Sequence, residues 1–531
     1  MLHSRILASV ALSALMLGAT PAVTFAETPP DTLIQAWSID DIISLDPAEI
    51  FEFTASEIAG NTYETLIGYD PKNVADIFGK AAESWTVSED GKTISFKMKE
   101  GRTFASGNPI TAEDAVFSLV RAVKLNKSPA FIIGQLGMTP ENVEANIVQT
   151  GPMTFDFKMD KAYAPTLVLY CLTATVASVV DKKLAMEHEA DGDFGYGWLK
   201  TNYAGSGPFT IKDWRPNEAV ILERNANYSG DAPAMARVIY RHIPETSTQR
   251  LLLEKGDIDI ARNLTAEDIA ALKDDPNVKI ESGAKGSLYY LGMNQKNEYL
   301  SKPQVRQAMK YLVDYDTIAN TIMAGKVKVH QGFLPEGFLG AYNENPFSLN
   351  IEKAKELLAE AGVPDGFKVT MDTRNTPEIT AMAQAMQQTM AQAGVELELI
   401  PGDGKQTLTK YRARNHDIYI GRWGPDFQDP HTNASTFAYN PDNSDDATSK
   451  PLAWRNAWDI PELTAETDAA MLEPDADKRA AMYVDEQKKV MEAGPFVIYA
   501  QEIEVMGERK NVEGVIVGPS FNDNNFAHVT K

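Results

Sequence analysis

The residues of this chain that could do chemistry are scattered and form no known catalytic pattern. None of the seven histidines pairs with another at the spacing of a metal site such as H-E-x-x-H. The chain has no Walker A loop, no G-x-S-x-G elbow and no G-x-G-x-x-G after a predicted strand. Its single cysteine, Cys171, lies in the apolar run LVLYCLTATVASVV, which predicts a packed core residue. We therefore expect no metal, no cofactor and no enzyme activity.

One segment combines residue types that could hold a small ligand. It reads RWGPDFQDP over 422–430 and contains Trp423, Gly424, Asp426 and Asp429. A carboxylate enclosed by protein forms a charge-assisted hydrogen bond to a primary amine, and an indole adds apolar or cation–π contact. A glycine lets a ligand approach the backbone. The alternative is a surface turn, because Gly-Pro-Asp is a turn sequence.

The elements that must position such residues alternate between short strands and helices, which predicts an α/β fold. KTISFKMK (92–99) alternates strictly between apolar and polar residues and is predicted to be a half-buried strand. Thr111 with Asp114, and Thr265 with Asp268, have the spacing of a capping box. Each pair predicts the start of a helix.

Further helices and strands are predicted in the second half of the chain. The segment SKPQVRQAMKYL (301–312) has Ser301 at a capping position and a buried apolar stripe. Asn350 is predicted to cap IEKAKELLAEAG, which Gly362 ends. A helix over 379–393 is followed by two strands, VELELI and DIYIGRW.

The first 26 residues have the pattern of a secretory signal peptide. Arg5 is followed by an apolar run over 6–19 that is too short to span a membrane, and Thr24-Phe25-Ala26 ends the segment with small residues at the cleavage positions. We expect cleavage after Ala26 and an exported chain. The formal net charge of −24 argues against non-specific binding to nucleic acid or to an anionic membrane.

Seven segments in order along the chain carry a family resemblance. The segments are Ser44-Leu45-Asp46-Pro47, NTYETLIGYD (61–70), ESWTVSEDGKTISFKMKEGRTFASGNPITAEDAVFSL (83–119), GSGPF (205–209), EKGDIDIA (254–261), YYLGMN (289–294) and IEKAKELLAEAG (351–362). Together they resemble the extracytoplasmic solute-binding proteins, family 5, the dipeptide, oligopeptide, opine and nickel class that serves ABC importers. Each segment alone is a weak signal, and the 83–119 segment is the most specific.

The resemblance implies an α/β fold with two lobes that close on a ligand about a hinge. Lobe I would comprise 27–288, with an extra subdomain over 71–200, and the chain would return to it over 500–531. Lobe II would comprise 289–499. The hinge would cross near Tyr289–Asn294 and near Tyr499–Glu502.

The resemblance also implies a role for the WGPD segment. In dipeptide- and oligopeptide-binding relatives an aspartate at the position of Asp426 binds the α-ammonium of the ligand. Trp423 and Gly424 would contact the same end of the ligand. With this family context we favour the binding site over the surface turn for Asp426, and we expect Asp429, followed by Pro430, to serve the turn.

A peptide also needs a cation for its carboxylate. Arg374, in DTRNTPE, lies where dipeptide-binding relatives place such an arginine, and Arg422 is the competitor. From lobe I, relatives reach the ligand just after SLDP, where this chain has Phe51, Glu52 and Phe53.

The function that the resemblance implies is that of a periplasmic binding protein. It would capture a short peptide or another amine-bearing solute and deliver it to the ABC permease in the inner membrane, as a monomer and without nucleic acid. A nickel complex, a sugar conjugate or an opine is the alternative ligand. A secreted hydrolase is a remote alternative, because paired carboxylates leave no fixed spacing in a sequence.

Overall fold

The computed structural model of the chain describes residues 28–447 and 449–531. The predicted signal peptide and its cleavage site lie outside the described residues. Within the described part of the chain, none of the helices combines the length and the apolarity that crossing a membrane requires.

The strands of the described residues are short, apart from two long ones in the centre of the fold. They are β1 (Thr32–Trp37), β2 (Ile67–Asp70), β3 (Asn73–Gly79), β4 (Ala82–Val87), β5 (Thr93–Met98), β6 (Ile147–Gly151), β7 (Thr154–Lys158), β8 (Phe209–Arg215), β9 (Ala219–Arg224), β10 (Arg237–His242), β11 (Ile260–Ala261), β12 (Val278–Met293), β13 (Val327–Val329), β14 (Phe367–Arg374), β15 (Val395–Gly402), β16 (Ile418–Trp423) and β17 (Phe496–Arg509).

The helices alternate with these strands along the chain. They are α1 (Phe53–Thr62), α2 (Ala112–Leu125), α3 (Phe131–Gly134), α4 (Val143–Asn146), α5 (Pro165–Cys171), α6 (Lys182–Glu187), α7 (Tyr196–Leu199), α8 (Thr246–Lys255), α9 (Ala266–Leu272), α10 (Pro303–Lys310), α11 (Tyr315–Thr317), α12 (Ile351–Glu360), α13 (Pro377–Ala391), α14 (Gly404–Arg412), α15 (His431–Phe437), α16 (Leu452–Arg455), α17 (Pro461–Leu472) and α18 (Ala476–Ala493).

Two long antiparallel strands, β12 and β17, run through the main sheet and join its two halves. The first half contains β11, β1, β10, β9 and β8, and the second half contains β15, β14 and β16. The strand order is β15-β14-β16-β12-β17-β11-β1-β10-β9-β8, with β13 beside β17. The C-terminal end of β12 pairs with β16, whereas the C-terminal end of β17 pairs with β11. Both strands therefore belong to both halves of the sheet.

The ladder between β12 and β17 is interrupted where the two halves meet. Its register shifts between Ala284 and Leu288. In this gap the backbone N–H of Gly286 donates to the carbonyl oxygen of Pro519 at 3.0 Å. A bulge of this kind bends a strand and increases its twist. We take the gap as the crossing point; it lies just before the predicted crossing at Tyr289–Asn294, and the lobe limits themselves stay predictions.

A separate sheet in the order β4-β5-β7-β6 has its own apolar core. Phe96 of β5 and Phe155 of β7 stack with ring centroids 5.1 Å apart. Cys171 is fully buried in this core, as the sequence predicted. Phe427, which follows β16, packs into the same core. The WGPD segment is therefore held against the part of the chain that contains this separate sheet.

Local sequence signals positioned most of the predicted elements. The strand predicted from KTISFKMK is confirmed as β5, which buries its apolar residues on one face. The capping boxes of Thr111 and Thr265 are confirmed at the starts of α2 and α9. The cap at Asn350 is confirmed, because its side chain accepts from the N–H of Lys353 at 2.9 Å.

The predicted cap at Ser301 is wrong. Helix α10 begins at Pro303 with Lys302 at the N-cap position. Proline is favoured at the first helical position, because its fixed φ suits the helix and its missing N–H would have no partner there. The proline therefore places the helix start one residue later than the serine predicts.

Candidate functional site

A cavity of about 660 Å³ lies beside the crossing point, between the two halves of the molecule. Its walls come from residues 50–56, 129–132 and 174–176 on one side, from residues within 374–455 on the other, and from 519–522 near the C-terminus. A cavity of this volume is typical of small-molecule sites. Of the eight residues that the sequence analysis assigned to a ligand, all but Glu52 line it.

The WGPD segment reaches the cavity from the end of β16. Trp423 is the last residue of that strand and packs edge-to-face on Phe437, with ring centroids 5.7 Å apart. Gly424 lies against Ser287, since a Cβ added at Gly424 would be 3.1 Å from the serine Oγ. The backbone N–H of Asp426 donates to the hydroxyl of Thr432 at 3.2 Å. These contacts fix the backbone position of Asp426, from which its side chain extends.

Asp426 is the one acidic side chain among the described residues that line the cavity. It is half-buried, and its carboxylate has no hydrogen-bond or ion-pair partner in the described part of the chain. Burial raises the pKa of the Asp426 carboxyl to about 7. A partly desolvated carboxylate without a partner is unfavourable, and a ligand cation would relieve that cost.

Aromatic side chains from the first half form the opposite wall. Phe51, Phe53 and Phe131 are between 42% and 46% exposed, although all three are large and apolar. Phe51 and Phe131 meet edge-to-face at 6.1 Å, and Phe53 packs on Phe521 at 4.5 Å. This wall offers apolar contact to a ligand.

Glu52 does not line the cavity, although both of its neighbours do. It is at the N-cap position of α1, where its carboxylate accepts from the backbone N–H of Phe51 at 3.2 Å. Partial burial raises its pKa. The prediction that Glu52 reaches a ligand is therefore not supported by its position, because the turn into the helix directs it elsewhere.

Two of the cations at the cavity are already paired with acids. Arg422 binds Glu502 at 2.5 Å, and its guanidinium lies 4.9 Å from the ring centre of Phe53. Lys285 is buried and binds Glu504 at 2.8 Å. Both pairs join β17 to the segments around the crossing point. Of the two arginines proposed for a ligand carboxylate, Arg422 is therefore the one that already binds an acidic side chain.

Three other arginines line the cavity without an acidic partner in the described part of the chain: Arg374, Arg412 and Arg455. Arg374 ends β14, and its Cζ is 3.6 Å from where a Cβ on Gly404 would be, at the start of α14. The sequence analysis proposed Arg374 and missed the other two. Leu408 and Arg412 are four residues apart, so they lie on one face of α14. That spacing was the one sequence signal that could have linked Arg412 to the cavity.

Asp429 does more than serve the turn. It accepts from the backbone N–H of His431 at 2.9 Å, as a turn residue would. Its carboxylate also forms two hydrogen bonds of 2.6 Å to Arg479, and both side chains are fully buried. Arg479 further donates to Thr166 of α5 at 3.1 Å, across to the first half of the molecule. The expectation that Asp429 is a simple turn residue was therefore incomplete, because it missed a buried long-range pair.

Within the described residues, no three His, Cys, Asp or Glu side chains are grouped as a metal site would require. The cavity wall presents one carboxylate, several guanidinium groups and aromatic side chains. This arrangement suits reversible capture of a small polar solute.

Comparison with known proteins gives the family. The family model described as bacterial extracellular solute-binding proteins, family 5 Middle, matches residues 76–445, which is more than half of the chain. The probable D,D-dipeptide-binding periplasmic protein DdpA of Escherichia coli is 28% identical over 514 residues, with 96% of each chain covered. The dipeptide-binding protein of the same species is 24% identical and covers 82% of this chain and 83% of its own.

A solved structure shows the same fold. The periplasmic binding protein DppA from Helicobacter pylori, in complex with the peptide STSA, aligns with a TM-score of 0.77 at 24% identity. The alignment covers 94% of this chain and 98% of that one. The two-lobe α/β fold expected from the sequence is thus confirmed. The chain belongs to the bacterial extracellular solute-binding proteins, family 5.

Proposed function

We propose that this chain is the periplasmic substrate-binding component of an ABC importer and that it captures a short peptide or another amine-bearing solute. Family membership and the names of its relatives support the class. The observation that carries the amine is Asp426, a carboxylate in a cavity of suitable size with no partner in the described part of the chain. A ligand ammonium would supply the missing partner through a charge-assisted hydrogen bond.

We assign the remaining contacts with the ligand to the other residues of the cavity wall. Arg374 is accessible and has no acidic partner in the described part of the chain, so we assign the ligand carboxylate to it and not to Arg422. Phe51, Phe53 and Trp423 supply apolar or cation–π contact. Gly424 lets the ligand approach the backbone.

The proposed function is binding without turnover. The solute is released to the permease when the lobes open, and no bond is made or broken. We further propose that the chain acts as a monomer after removal of residues 1–26. N-terminal sequencing of the exported protein should begin at Glu27, and a chain that retains Met1 in the membrane fraction would contradict this.

Replacing Asp426 by asparagine tests the amine anchor. Asp426→Asn keeps the shape and removes the charge, and removing one partner of a desolvated charged pair costs about 2–5 kcal/mol. A mixed library of di- and tripeptides should raise the melting temperature of the wild type by mass action. The N-acetylated library should not, and the variant should not respond to either.

The matched control is Asp365→Asn, an exposed acid outside the cavity. It should respond to the library like the wild type. If Asp426→Asn responds as well as Asp365→Asn does, or if acetylation makes no difference, the amine anchor is wrong.

A further inference from the structure

The cavity carries more positive charge than one peptide carboxylate needs. Its three arginines without an acidic partner in the described residues, Arg374, Arg412 and Arg455, face a single unpaired carboxylate, Asp426. The neighbouring Arg422 and Lys285 are by contrast each neutralised by a glutamate. The imbalance is therefore confined to the wall formed by the end of β14, α14 and α16.

Helix α14 sets the spacing of these charges. The Arg374 guanidinium lies at its first residue, Gly404, and Arg412 is its last residue. Eight residues of helix rise about 12 Å, so the two arginines are at opposite ends of the wall. Leu408, one turn before Arg412, also lines the cavity between them.

Arg412 and Arg455 form a pair at the far end. Both side chains line the cavity, and Tyr411, whose ring contacts Arg455, is the residue before Arg412. Burial and the charge of Arg455 lower the pKa of Arg412. Arg455 is held by its Nε, which donates to the carbonyl oxygen of Lys450 at 3.2 Å, and by the Tyr411 ring, 5.5 Å from its Cζ. Two like charges held together at a cavity wall are unfavourable unless an anion binds between them.

We infer that the solute carries a second anionic group, which binds between Arg412 and Arg455, in addition to the carboxylate at Arg374. This inference rests on the proposed function for the amine and the first carboxylate. The solute is then an acidic amino compound, such as a peptide with acidic side chains, with a net negative charge. The guanidinium forks suit a planar, bidentate anion.

The test compares three tripeptide libraries on the full chain by calorimetric titration. The libraries are Xaa-Glu-Glu, its uncharged isostere Xaa-Gln-Gln, and N-acetylated Xaa-Glu-Glu. Xaa-Glu-Glu should bind about tenfold more tightly than Xaa-Gln-Gln, the effect of one added charged contact. In the double variant Arg412→Gln/Arg455→Gln this ratio should fall to about one. The control Arg237→Gln, on β10 and outside the cavity, should keep it.

The two claims fail in different ways. Equal binding of the Glu and Gln libraries to the wild type, binding of neither, or an unchanged ratio in the double variant overturns the second anion site. If the acetylated library binds as tightly as the free one while the ratio holds, the amine anchor is wrong and the anion site stands. The wild-type comparison uses no variant, so a misfolded variant does not obscure the result.

Discussion

At the scale of single residues, two aspartates three positions apart have opposite environments. Asp429 is buried in a double hydrogen bond to Arg479, so its charge is neutralised within the protein. Asp426 points to the cavity without a partner in the described residues, and burial raises its pKa to about 7. A protein holds an unpaired acid of this kind at some cost to stability, which is characteristic of functional sites.

The raised pKa of Asp426 predicts a pH profile for binding. An ammonium needs the ionised carboxylate, so affinity for the unmodified peptide library should rise from pH 5 and level off near pH 7. It should fall again above about pH 8, where the peptide amino group loses its proton. Calorimetric titration at half-unit steps measures the profile. In Asp426→Asn the acidic limb should disappear; a wild-type affinity that stays constant from pH 5 to 7 would contradict the assignment.

The same shift has a consequence for stability. Folding raises the pKa of Asp426, so its favourable contribution is fully present below its unfolded pKa of about 4 and is lost as the pH rises through about 7. The free energy of unfolding of the ligand-free Asp426→Asn variant should therefore exceed that of the wild type at pH 8, and the difference should shrink toward pH 5.

The Asp429–Arg479 pair predicts a stability effect. Removing one partner of a buried pair leaves an uncompensated charge, which typically costs about 3–5 kcal/mol. Asp429→Asn should lower the free energy of unfolding by that order, measured by urea denaturation. Glu83→Gln breaks a half-exposed pair with Lys97 and should cost about 1 kcal/mol or less. Equal effects of the two variants would show that the buried pair is not a major contact.

Residue-level prediction was good where a local motif carried it and poor elsewhere. Asp426, Trp423 and Gly424 lie within one contiguous segment, and that segment does line the cavity. Arg412 and Arg455 lie on separate helices and meet only in the folded chain. No spacing in the sequence links them, and the same is true of Asp429 with Arg479.

At the scale of elements, the gap in the β12–β17 ladder positions the WGPD segment. Gly286, in that gap, has no side chain, and Pro425 occupies the space beside it. A Cβ added at Gly286 would be 2.8 Å from the Cγ of Pro425 and 3.6 Å from the ring of Phe338. The bulged strand and the WGPD segment are thus in direct contact, and the position of one constrains the other.

Gly286→Ala tests that contact. Forcing extra atoms into a packed position typically costs about 1–3 kcal/mol, and here the cost is expected to displace Pro425 and, with it, Asp426. Affinity for the unmodified peptide library should fall. Gly134→Ala is the matched control, because a Cβ there meets nothing within 4 Å. If both variants bind like the wild type, the Gly286–Pro425 contact does not position the site.

Helices and strands could be predicted from the sequence wherever the signal lay within a few neighbouring residues. Capping boxes at Thr111 and Thr265 placed two helix starts, whereas at Ser301 a proline two residues later prevailed. The position of the crossing point was not predictable to the residue. It depends on the register between β12 and β17, whose partners are about two hundred residues apart in the chain and are set by packing on both faces.

At the scale of the whole molecule, charge is distributed unevenly. The chain has a formal net charge of −24, yet its cavity has more unpaired cations than acids among the described residues. The excess of acidic residues disfavours non-specific anion binding, whereas the arginines of the cavity wall would select anionic groups on a solute small enough to enter. The overall charge predicted the first property and gave no indication of the second.

Native mass spectrometry of the exported protein, followed by release and fragmentation of whatever co-purifies with it, identifies the solute that the cavity holds. We expect a non-covalent adduct whose released compound carries a free primary amine together with anionic groups. The adduct should be absent from Asp426→Asn and present in Asp365→Asn. A released compound without an amine, or an adduct of equal occupancy in Asp426→Asn, would contradict the account.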